Sequence, residues 1–305
     1  MSLSIASVNV NGIRAATKVR HEDNQGMLAW LGQTPADVVL LQEVRASAEQ
    51  AAASLQPALD EGWHLAVAPA ESPGAKGRAG VGILSRTPLS DVEVGVPGFE
   101  DAGRFIAGSL DDGTRVASLY LPSGSAGTAK QDEKYAFLDA FEPLLANWAV
   151  QYENMVIGGD WNICHRREDL KNWRSNRTKS GFLPDERAFM DAVFGAFPDD
   201  EAQDLDAKQP AQWAGAVEYA SEGRREAAAT PAWFDVARRL NPEDAPYTWW
   251  TYRGQAFNNN AGWRIDYQAA TAAMLERAER SWVDKAPSVE ERWSDHSPLI
   301  VTYRS

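Results

Sequence analysis

The sequence predicts an α/β (α+β) fold, a four-layer αββα sandwich in which two mixed β-sheets pack face to face between helices. Three observations support this. Apolar segments of strand length alternate with helical segments, a hairpin joins two of the strands, and no low-complexity linker divides the 305 residues. The hairpin requires antiparallel neighbours, whereas strand–helix–strand units favour parallel ones, so both sheets are expected to be mixed. We expect a single domain over residues 1–305, with an acidic insertion at about residues 198–230.

The first half of the chain carries most of the predicted strands. Alternating or continuous apolar runs predict strands at 4–11, 37–43, 63–69, 79–85, 104–110 and 115–121. The last two flank Asp111-Asp112-Gly113, a typical hairpin turn. Helices are expected at 22–31, 47–59 and 130–150.

The second half centres on the segment 154–162, which reads N-M-V-I-G-G-D-W-N. Its apolar run predicts a buried strand, and the two glycines are expected to turn the backbone tightly. Asp160 and Asn162 would then lie just past the strand end, on one side. Further strands are expected at 247–252, 263–267 and 299–303, and helices at 184–194 and about 272–280.

Composition limits the class of protein. With 44% hydrophobic and 24% charged residues, the chain is typical of a globular protein. It shows neither a signal-peptide pattern nor an apolar run approaching the roughly 18 residues that a membrane span needs. A single cysteine, Cys164, excludes an intramolecular disulfide and fits a cytoplasmic location. We interpret it as an inert thiol rather than a nucleophile.

The charge is unevenly distributed. The formal net charge is −13, although a nucleic-acid-binding protein usually presents a basic surface. Acidic side chains concentrate in residues 199–226, and basic ones in residues 165–179. The distribution therefore matters more than the total, and a local basic surface stays compatible with the sequence.

Polar side chains recur where the predicted strands end. They are Asn9, Glu43, Tyr120, Asp160, Asn162, Asp266, Asp295 and His296. Carboxylate and amide oxygens suit Mg²⁺ or Mn²⁺, whereas the remaining histidines lack the spacing of a zinc site. A cation, a histidine and neutral donors together can stabilise a phosphoryl transition state. The alternative is that these residues only cap helices and turns, which is plausible for any one of them.

Several motifs together resemble the exonuclease III family. They are S-V-N-V-N-G-I-R-A (7–15), L-L-Q-E-V-R (40–45), Y-L-P (120–122), I-G-G-D-W-N-I (157–163), S-G-F-L-P-D-E-R (180–187), W-R-I-D-Y (263–267) and S-D-H-S-P (294–298). This family contains Mg²⁺-dependent DNA-repair nucleases with apurinic/apyrimidinic (AP) endonuclease activity, within the endonuclease/exonuclease/phosphatase superfamily. The resemblance runs in order over nearly the whole chain, and the first motif, S-G-F-L-P-D-E-R and W-R-I-D-Y are the most specific to the nuclease branch.

The resemblance implies a metal site. Glu43 is similar to the family's main metal ligand, and Asp295 and Asn9 would lie close to the ion. Mg²⁺ is the implied cofactor, and Mn²⁺ is expected to substitute for it.

The resemblance also implies catalytic roles. Asp160 matches the carboxylate that positions and deprotonates the attacking water, and Asn162 would hold that water or a phosphate oxygen. His296, paired with Asp266, would donate to the scissile phosphate. Tyr120 would contact the same phosphate or assist the leaving oxygen. Either Asp160 or His296 is a candidate base; we favour Asp160, because a histidine beside a carboxylate tends to stay protonated.

A pocket for a flipped-out abasic sugar is implied as well. Trp249, Trp263 and Ile265 match the positions that line it, and such a slot would exclude an intact nucleotide. Because adjacent strand residues face opposite sides, one of Trp249 and Trp250 must belong to the core. The candidates for contacts with the DNA backbone are Arg45, Lys76, Arg78, Asn172, Asn176 and Lys179.

The implied function is incision 5′ to abasic sites and trimming of 3′ ends in duplex DNA by a cytoplasmic monomer that needs neither a membrane nor an obligate protein partner. The alternatives are a phosphatase of the same superfamily acting on a small or lipid phosphate, and a catalytically silent nucleic-acid-binding module. Two departures stand out. Ala126 replaces an arginine that wedges into the duplex in some relatives, and the acidic insertion has no clear counterpart in the shorter ones.

Overall fold

The computed structural model describes residues 2–195, 225–243 and 245–305. Its strands, in chain order, are β1 (Ser2–Asn9), β2 (Val38–Gln42), β3 (His64–Ala68), β4 (Val81–Ser85), β5 (Ser90–Val94), β6 (Phe105–Ser109), β7 (Arg115–Tyr120), β8 (Met155–Asp160), β9 (Phe234–Asp235), β10 (Asp266–Ala270), β11 (Ala278–Val283) and β12 (Leu299–Arg304). Its α-helices are α1 (Ile13–Ala16), α2 (Gly26–Leu31), α3 (Ala48–Asp60), α4 (Ala129–Gln151), α5 (Trp173–Asn176), α6 (Pro184–Phe194), α7 (Val236–Leu240) and α8 (Ala272–Arg277).

The strands form two six-stranded sheets, ordered β11-β12-β1-β2-β4-β3 and β5-β6-β7-β8-β10-β9. Each sheet contains one parallel pair, β1 with β2 and β7 with β8, and its other pairs are antiparallel. Both sheets are therefore mixed, as the sequence predicts.

Alternation along the strands produces the four layers. In β2, Val38 and Leu40 face a core between the two sheets, whereas Val39 and Leu41 face a second core that includes residues of α1, α2 and α3. The other sheet packs its outer face against α4 and α6. Because side chains alternate across a strand, one apolar run supplies two cores. The predicted αββα sandwich is confirmed.

The glycines of β8 serve a different purpose from the one that the sequence suggests. Gly158 and Gly159 lie within the strand, pair with β10 and do not have a positive φ, so the predicted tight turn is wrong. A Cβ on Gly158 would lie 2.5 Å from Leu40 Cδ1 of the facing sheet, and one on Gly159 would lie 2.0 Å from the Leu119 carbonyl oxygen. The glycines thus permit close packing of sheet against sheet and of strand against strand.

Buried hydrogen bonds join the two sheets near the functional end. Gln42 Nε2 donates to Ser118 Oγ at 2.9 Å, and Ser118 Oγ donates to the Leu41 carbonyl oxygen at 2.7 Å. Strands β1, β2, β7 and β8 all run toward this end, which places Asn9, Gln42, Tyr120 and Asp160 there. The parallel pairs therefore bring polar strand ends of both sheets together.

Most differences from the predicted elements involve edge strands. Strands β5, β9 and β11 were not predicted; β5 is exposed throughout, and β9 has only two residues. Residues 278–280, predicted as helical, begin β11. The strand predicted at 247–252 is wrong too, because this segment makes only isolated bridges, and the helix predicted from residue 22 begins at Gly26.

The predicted acidic insertion at 198–230 lies largely outside the described residues. Of its acidic side chains, only Glu226 falls within them. At the border, Arg225 contacts Asp139 and Glu142 of α4, the latter at 2.5 Å. No helix in the described ranges is long and apolar enough to cross a membrane.

Candidate active site

A cavity of about 620 Å³ opens at the end of the sandwich where the polar strand ends meet. Among the residues singled out from the sequence, those lining it are Glu43, Arg45, Arg78, Tyr120, Asp160, Asn162, Trp249, Trp263, Ile265, Asp295 and His296. Residues from both sheets and from several loops therefore converge on one space.

Asp160, the last residue of β8, is almost completely buried. Its Oδ2 accepts a hydrogen bond from Asn9 Nδ2 at 2.9 Å, and its Oδ1 accepts one from the Asn162 backbone N–H at 2.9 Å. The contact with Asn9 crosses from one sheet to the other. Burial raises the pKa of Asp160, and nearby His296 opposes that shift. A carboxyl with a raised pKa is a better proton acceptor near neutral pH than an ordinary aspartate.

His296 is held from behind by Asp266. Its Nδ1 lies 2.8 Å from Asp266 Oδ2, and its Nε2 lies 3.8 Å from Asp160 Oδ2. Burial alone would lower the pKa of His296, but the carboxylates, Asp266 first, outweigh it and raise the pKa. This environment favours the protonated imidazole, which is suited to donate a proton or a hydrogen bond.

Asp160, Asp266 and His296 each bring a potential metal-ligand atom within 4.8 Å of the others. In its protonated form the imidazole offers no lone pair to a cation, so in that form the histidine serves as a donor and only the two carboxylates could bind a metal ion. Asp266 Oδ1 is buried without a hydrogen-bond partner in the described structure. This oxygen is therefore available to accept a further hydrogen bond.

Glu43 lies beside Tyr120 and Arg45 on the wall of the cavity. The Tyr120 hydroxyl donates to Glu43 Oε1 at 2.5 Å, and Arg45 pairs with Glu43 Oε2. Burial and the Glu43 carboxylate raise the pKa of Tyr120 well above its ordinary value, so its hydroxyl remains a donor. Arg104 stacks on the Tyr120 ring at 4.8 Å.

Asp295 is the second carboxylate with access to the cavity. Its Oδ1 accepts from Asn11 Nδ2 at 2.9 Å, and its Oδ2 accepts from Trp249 Nε1 at 3.0 Å. Glu43 and Asp295 are half-buried and line the same space, so their oxygens form a donor set of the hard type that Mg²⁺ prefers. The chemistry of these two carboxylates suits such an ion.

The backbone around the cavity is unusual. Asn11, Glu43, Arg45 and Asn162 have φ between 49° and 52°, in the left-handed region. Two other non-glycine residues in the described ranges share this conformation, and neither lines the cavity. Asparagine adopts it readily, whereas Glu43 and Arg45 do so at a cost. Strain of this kind is often concentrated at functional sites.

Three apolar side chains form one wall. Trp249 and Trp263 pack edge to face with ring centroids 5.9 Å apart, and Ile265 completes the wall. Trp250 points away, is 2% exposed and packs against Phe257. The prediction that one of the adjacent tryptophans belongs to the core is confirmed.

A buried ion-pair network anchors this wall. Arg264, between Trp263 and Ile265, contacts Asp169 at 2.8 Å and Asp235 at 2.8 Å, and Arg238 also pairs with Asp169. All four side chains are buried. Sequence reasoning did not identify this network, since its members are separated by up to 95 residues.

A second buried pair supports the loop that lies against the Trp263 ring. Lys134 Nζ lies 2.7 Å from Glu186 Oε1 and donates to the Asn162 carbonyl oxygen at 2.9 Å. Glu186 Oε2 accepts from the backbone N–H groups of Gly181 and Leu183. The glutamate of the S-G-F-L-P-D-E-R motif thus fixes the loop that it follows.

The candidate DNA-contact residues separate into two groups. Arg45 and Arg78 line the cavity, whereas Lys76, Asn172 and Lys179 are exposed and do not line it. Asn176 is nearly buried.

The Asn176 amide donates to the Asn172 carbonyl oxygen at 2.8 Å. Sequence reasoning missed Asn11, Arg104 and Lys130, which also line the cavity. Asn11 was recognisable from its position two residues after Asn9, but nothing in the local sequence distinguishes Arg104.

The profile of the Endonuclease/Exonuclease/phosphatase family matches residues 6–296. The chain belongs to this family. The chain is 27% identical over 305 residues to an exodeoxyribonuclease of Bacillus subtilis, covering 97% of this chain and 98% of that protein. It is 28% identical over 303 residues to the DNA repair nuclease APEX1 of Danio rerio, covering 98% of this chain and 82% of that protein.

The fold is also similar to that of a solved structure. The 3′ phosphatase NExo from Neisseria, bound to a product DNA hairpin, superposes with a TM-score of 0.76 at 25% identity, covering 99% of this chain and all of that one. The resemblance to the exonuclease III family that the motifs indicate is confirmed.

Proposed function

We propose that this protein is a Mg²⁺-dependent DNA-repair phosphodiesterase that incises duplex DNA 5′ to abasic sites and trims or cleans 3′ ends. The observation that carries the proposal is the convergence of Asp160, the His296–Asp266 pair and Glu43 on one cavity that also has an apolar wall. The exodeoxyribonuclease and DNA-repair nuclease relatives support the substrate class. We place its action in the cytoplasm, as a monomer on duplex DNA with abasic sites or blocked 3′ ends.

Glu43 and Asp295 would hold the metal ion, with Asn9 close by. A bound Mg²⁺ supplies electrostatic stabilisation to a phosphate oxygen. Mn²⁺ is expected to support the same chemistry, because it accepts the same oxygen donors.

Asp160 acts as the general base on the attacking water. Donation from Asn9 and from the Asn162 backbone fixes the orientation of its carboxylate. The Asn162 side chain lines the cavity and would contact the water or a phosphate oxygen.

His296, oriented by Asp266, donates to the scissile phosphate. The Tyr120 hydroxyl stabilises the same phosphate or the leaving oxygen, and Asp266 acts only through the imidazole.

The apolar wall selects the lesion. The side chains of Trp249, Trp263 and Ile265 are mainly apolar. The Trp249 indole N–H is already donated to Asp295, which leaves the Trp263 indole N–H as the side-chain donor of this wall. A deoxyribose without its base fits such a slot, and unstacking costs least where the base is missing. Arg45, Arg78 and Arg104 at the rim would contact the backbone, and the exposed Lys76, Asn172 and Lys179 would extend that surface; Asn176 would act by fixing this segment.

The test is a duplex with one central abasic-site analogue, labelled at its 5′ end, beside the same duplex without the lesion. We expect one cut at the lesion with Mg²⁺ and none with EDTA. A ladder shrinking from the 3′ end of both duplexes would indicate chiefly an exonuclease. No cleavage of either would reject the proposal and favour the small-molecule phosphatase.

The mechanism is tested with Asp160→Asn. This isosteric change removes the base, so cleavage should fall by at least about 10²-fold while DNA binding is retained. Cleavage at the rate of the unmodified protein would exclude Asp160 as the base.

A further inference from the structure

Trp249 is the member of the apolar wall that also contacts a carboxylate of the proposed metal site. Its indole Nε1–H donates to Asp295 Oδ2 at 3.0 Å, and Asn11 Nδ2 donates to Asp295 Oδ1 at 2.9 Å. An ionised carboxylate has about four acceptor sites, so these two hydrogen bonds leave others for a cation. The two donors therefore fix the rotation of the Asp295 carboxylate without blocking it.

Both of these donors are uncharged. This distinguishes Asp295 from Glu43, the other carboxylate of the proposed metal site, which pairs with the Arg45 guanidinium. A neutral donor orients a carboxylate and leaves its negative charge in place, whereas an arginine at ion-pair distance offsets part of that charge. The hydrogen bonds of Asp295 therefore orient it for a cation without offsetting its charge.

Backbone hydrogen bonds hold Trp249 between the apolar wall and the catalytic residues. Its N–H and carbonyl groups both bond to Trp263 at 2.9 Å, and it forms an isolated antiparallel bridge with His296. The next residue, Trp250, donates its backbone N–H to the Asp295 carbonyl oxygen at 3.0 Å. The indole and the carboxylate that it contacts thus belong to two backbone segments that are hydrogen-bonded to each other, so the fold fixes their separation.

We propose that Trp249 is a positioning residue for the metal site, whose indole N–H holds Asp295 in the orientation that binds the cation while its ring forms part of the apolar wall. The inference rests on the proposed function and extends it, because one side chain then serves both the metal ion and the sugar. Removal of a hydrogen bond to a metal-binding group typically lowers metal affinity by about 10- to 100-fold. We expect an effect in this range.

The test is a titration with Mn²⁺ alone, in which the EPR signal of the free ion reports binding in the absence of DNA. Trp249→Phe keeps an aromatic ring in the wall but removes the N–H, so the Kd for Mn²⁺ should rise by about 10- to 100-fold. Trp263→Phe is the matched control, because it makes the same chemical change in the same wall. Among the described residues, the side chains that donate to the Asp295 carboxylate are Asn11 and Trp249, so the control should leave the Kd unchanged.

Thermal unfolding in EDTA shows whether both variants are folded. A measurement on the unmodified protein decides the matter if Trp249→Phe is not: ¹H–¹⁵N NMR spectra of the indole N–H groups of the 12 tryptophans, recorded as Mg²⁺ is added. An indole resonance should shift with the metal, because a cation on the carboxylate draws charge from the oxygen that accepts the N–H. A titration in which no indole resonance moves would overturn the inference.

Equal Kd values for the unmodified protein and a folded Trp249→Phe would overturn it as well. So would a rise of the same size in both variants, since the effect would then come from the shape of the wall rather than from the N–H. Failure of the proposed function is distinguishable. An unmodified protein that binds Mn²⁺ but does not cut the lesion duplex rejects the function alone, whereas normal cutting with an unchanged Kd in Trp249→Phe rejects this inference alone.

Discussion

Asp169→Asn tests whether the buried ion-pair network holds the apolar wall in place. The Asp169 carboxylate is fully buried and accepts from Arg264 Nε at 2.8 Å, from Arg264 Nη2 at 3.2 Å, from Arg238 and from the Arg166 backbone at 2.9 Å. The amide keeps the shape but removes the charge and points N–H groups at other N–H groups.

The expected loss of unfolding free energy follows from the ion pairs that remain after the substitution. Asp235 still pairs with Arg264 at 2.8 Å, but Arg238 loses the Asp169 carboxylate with which it pairs. Removing one partner of a buried ion pair costs about 3–5 kcal/mol. For a chain of this size, that corresponds to a fall in Tm of roughly 6–20 °C.

Thermal and urea unfolding of the variant and of an Asp111→Asn control would measure the loss. Asp111 is exposed in the hairpin turn, so its substitution should stay within about 0.5 kcal/mol. A loss below about 1 kcal/mol for Asp169→Asn would refute the reasoning, because the network would then add little to stability. The variant should also discriminate less between lesion and intact duplex, since Arg264 lies between Trp263 and Ile265.

The pH dependence gives an independent check. Burial alone would raise the pKa of Asp169, but Arg264 and then Arg238 outweigh it and lower the pKa below its ordinary value. A lowered pKa means that the contribution is complete above the unfolded-state value of about 3.9 and is lost as pH falls toward the folded-state value. The difference in unfolding free energy between the two proteins should therefore be equal at pH 7 and pH 5, and a decrease between them would contradict the assignment.

Three further predictions concern buried or strained positions. Gly181→Ala places a Cβ 2.9 Å from Trp263 Cζ3 at a φ of +92°, so it should cost about 1–3 kcal/mol and reduce cleavage at the lesion, measured by unfolding and by the duplex assay. Lys134→Met leaves the Glu186 carboxylate buried and unpaired by any ammonium, which should lower the unfolding free energy by about 3–5 kcal/mol; an unchanged urea midpoint would contradict this. Cys164 is fully buried, and burial raises the pKa of its thiol, so Ellman's reagent should react only after denaturation.

The sequence predicts the layers of this fold because hydrophobic alternation reports burial. Strands β2 and β8 are buried along their full length, and their apolar runs identify them. Strand β5 carries no such signal, because all five of its residues are exposed and only pairing with β6 makes it a strand. Edge strands of this kind are difficult to predict from sequence for a physical reason. Both of their faces are exposed to solvent, so their residues show no hydrophobic alternation.

The sequence predicts part of the candidate site, as it predicts part of the fold. Motif residues such as Glu43, Asp160 and His296 were identified and do share one cavity. Arg104 and the network around Asp169 were not, because a lone arginine or aspartate gains meaning only from distant partners. The misassigned turn at Gly158 has a related cause, since the need for a glycine there comes from Leu40 in the other sheet.

The left-handed residues around the cavity set two selective pressures against each other. At Glu43 and Arg45, a glycine would relieve the backbone and raise stability, yet it would delete the side chain that the position exists to present. A collection of variants screened only for thermal resistance would therefore drift toward glycine at this rim and lose its chemistry first. At the rim of the cavity, stability of the fold and activity of the protein therefore favour different residues.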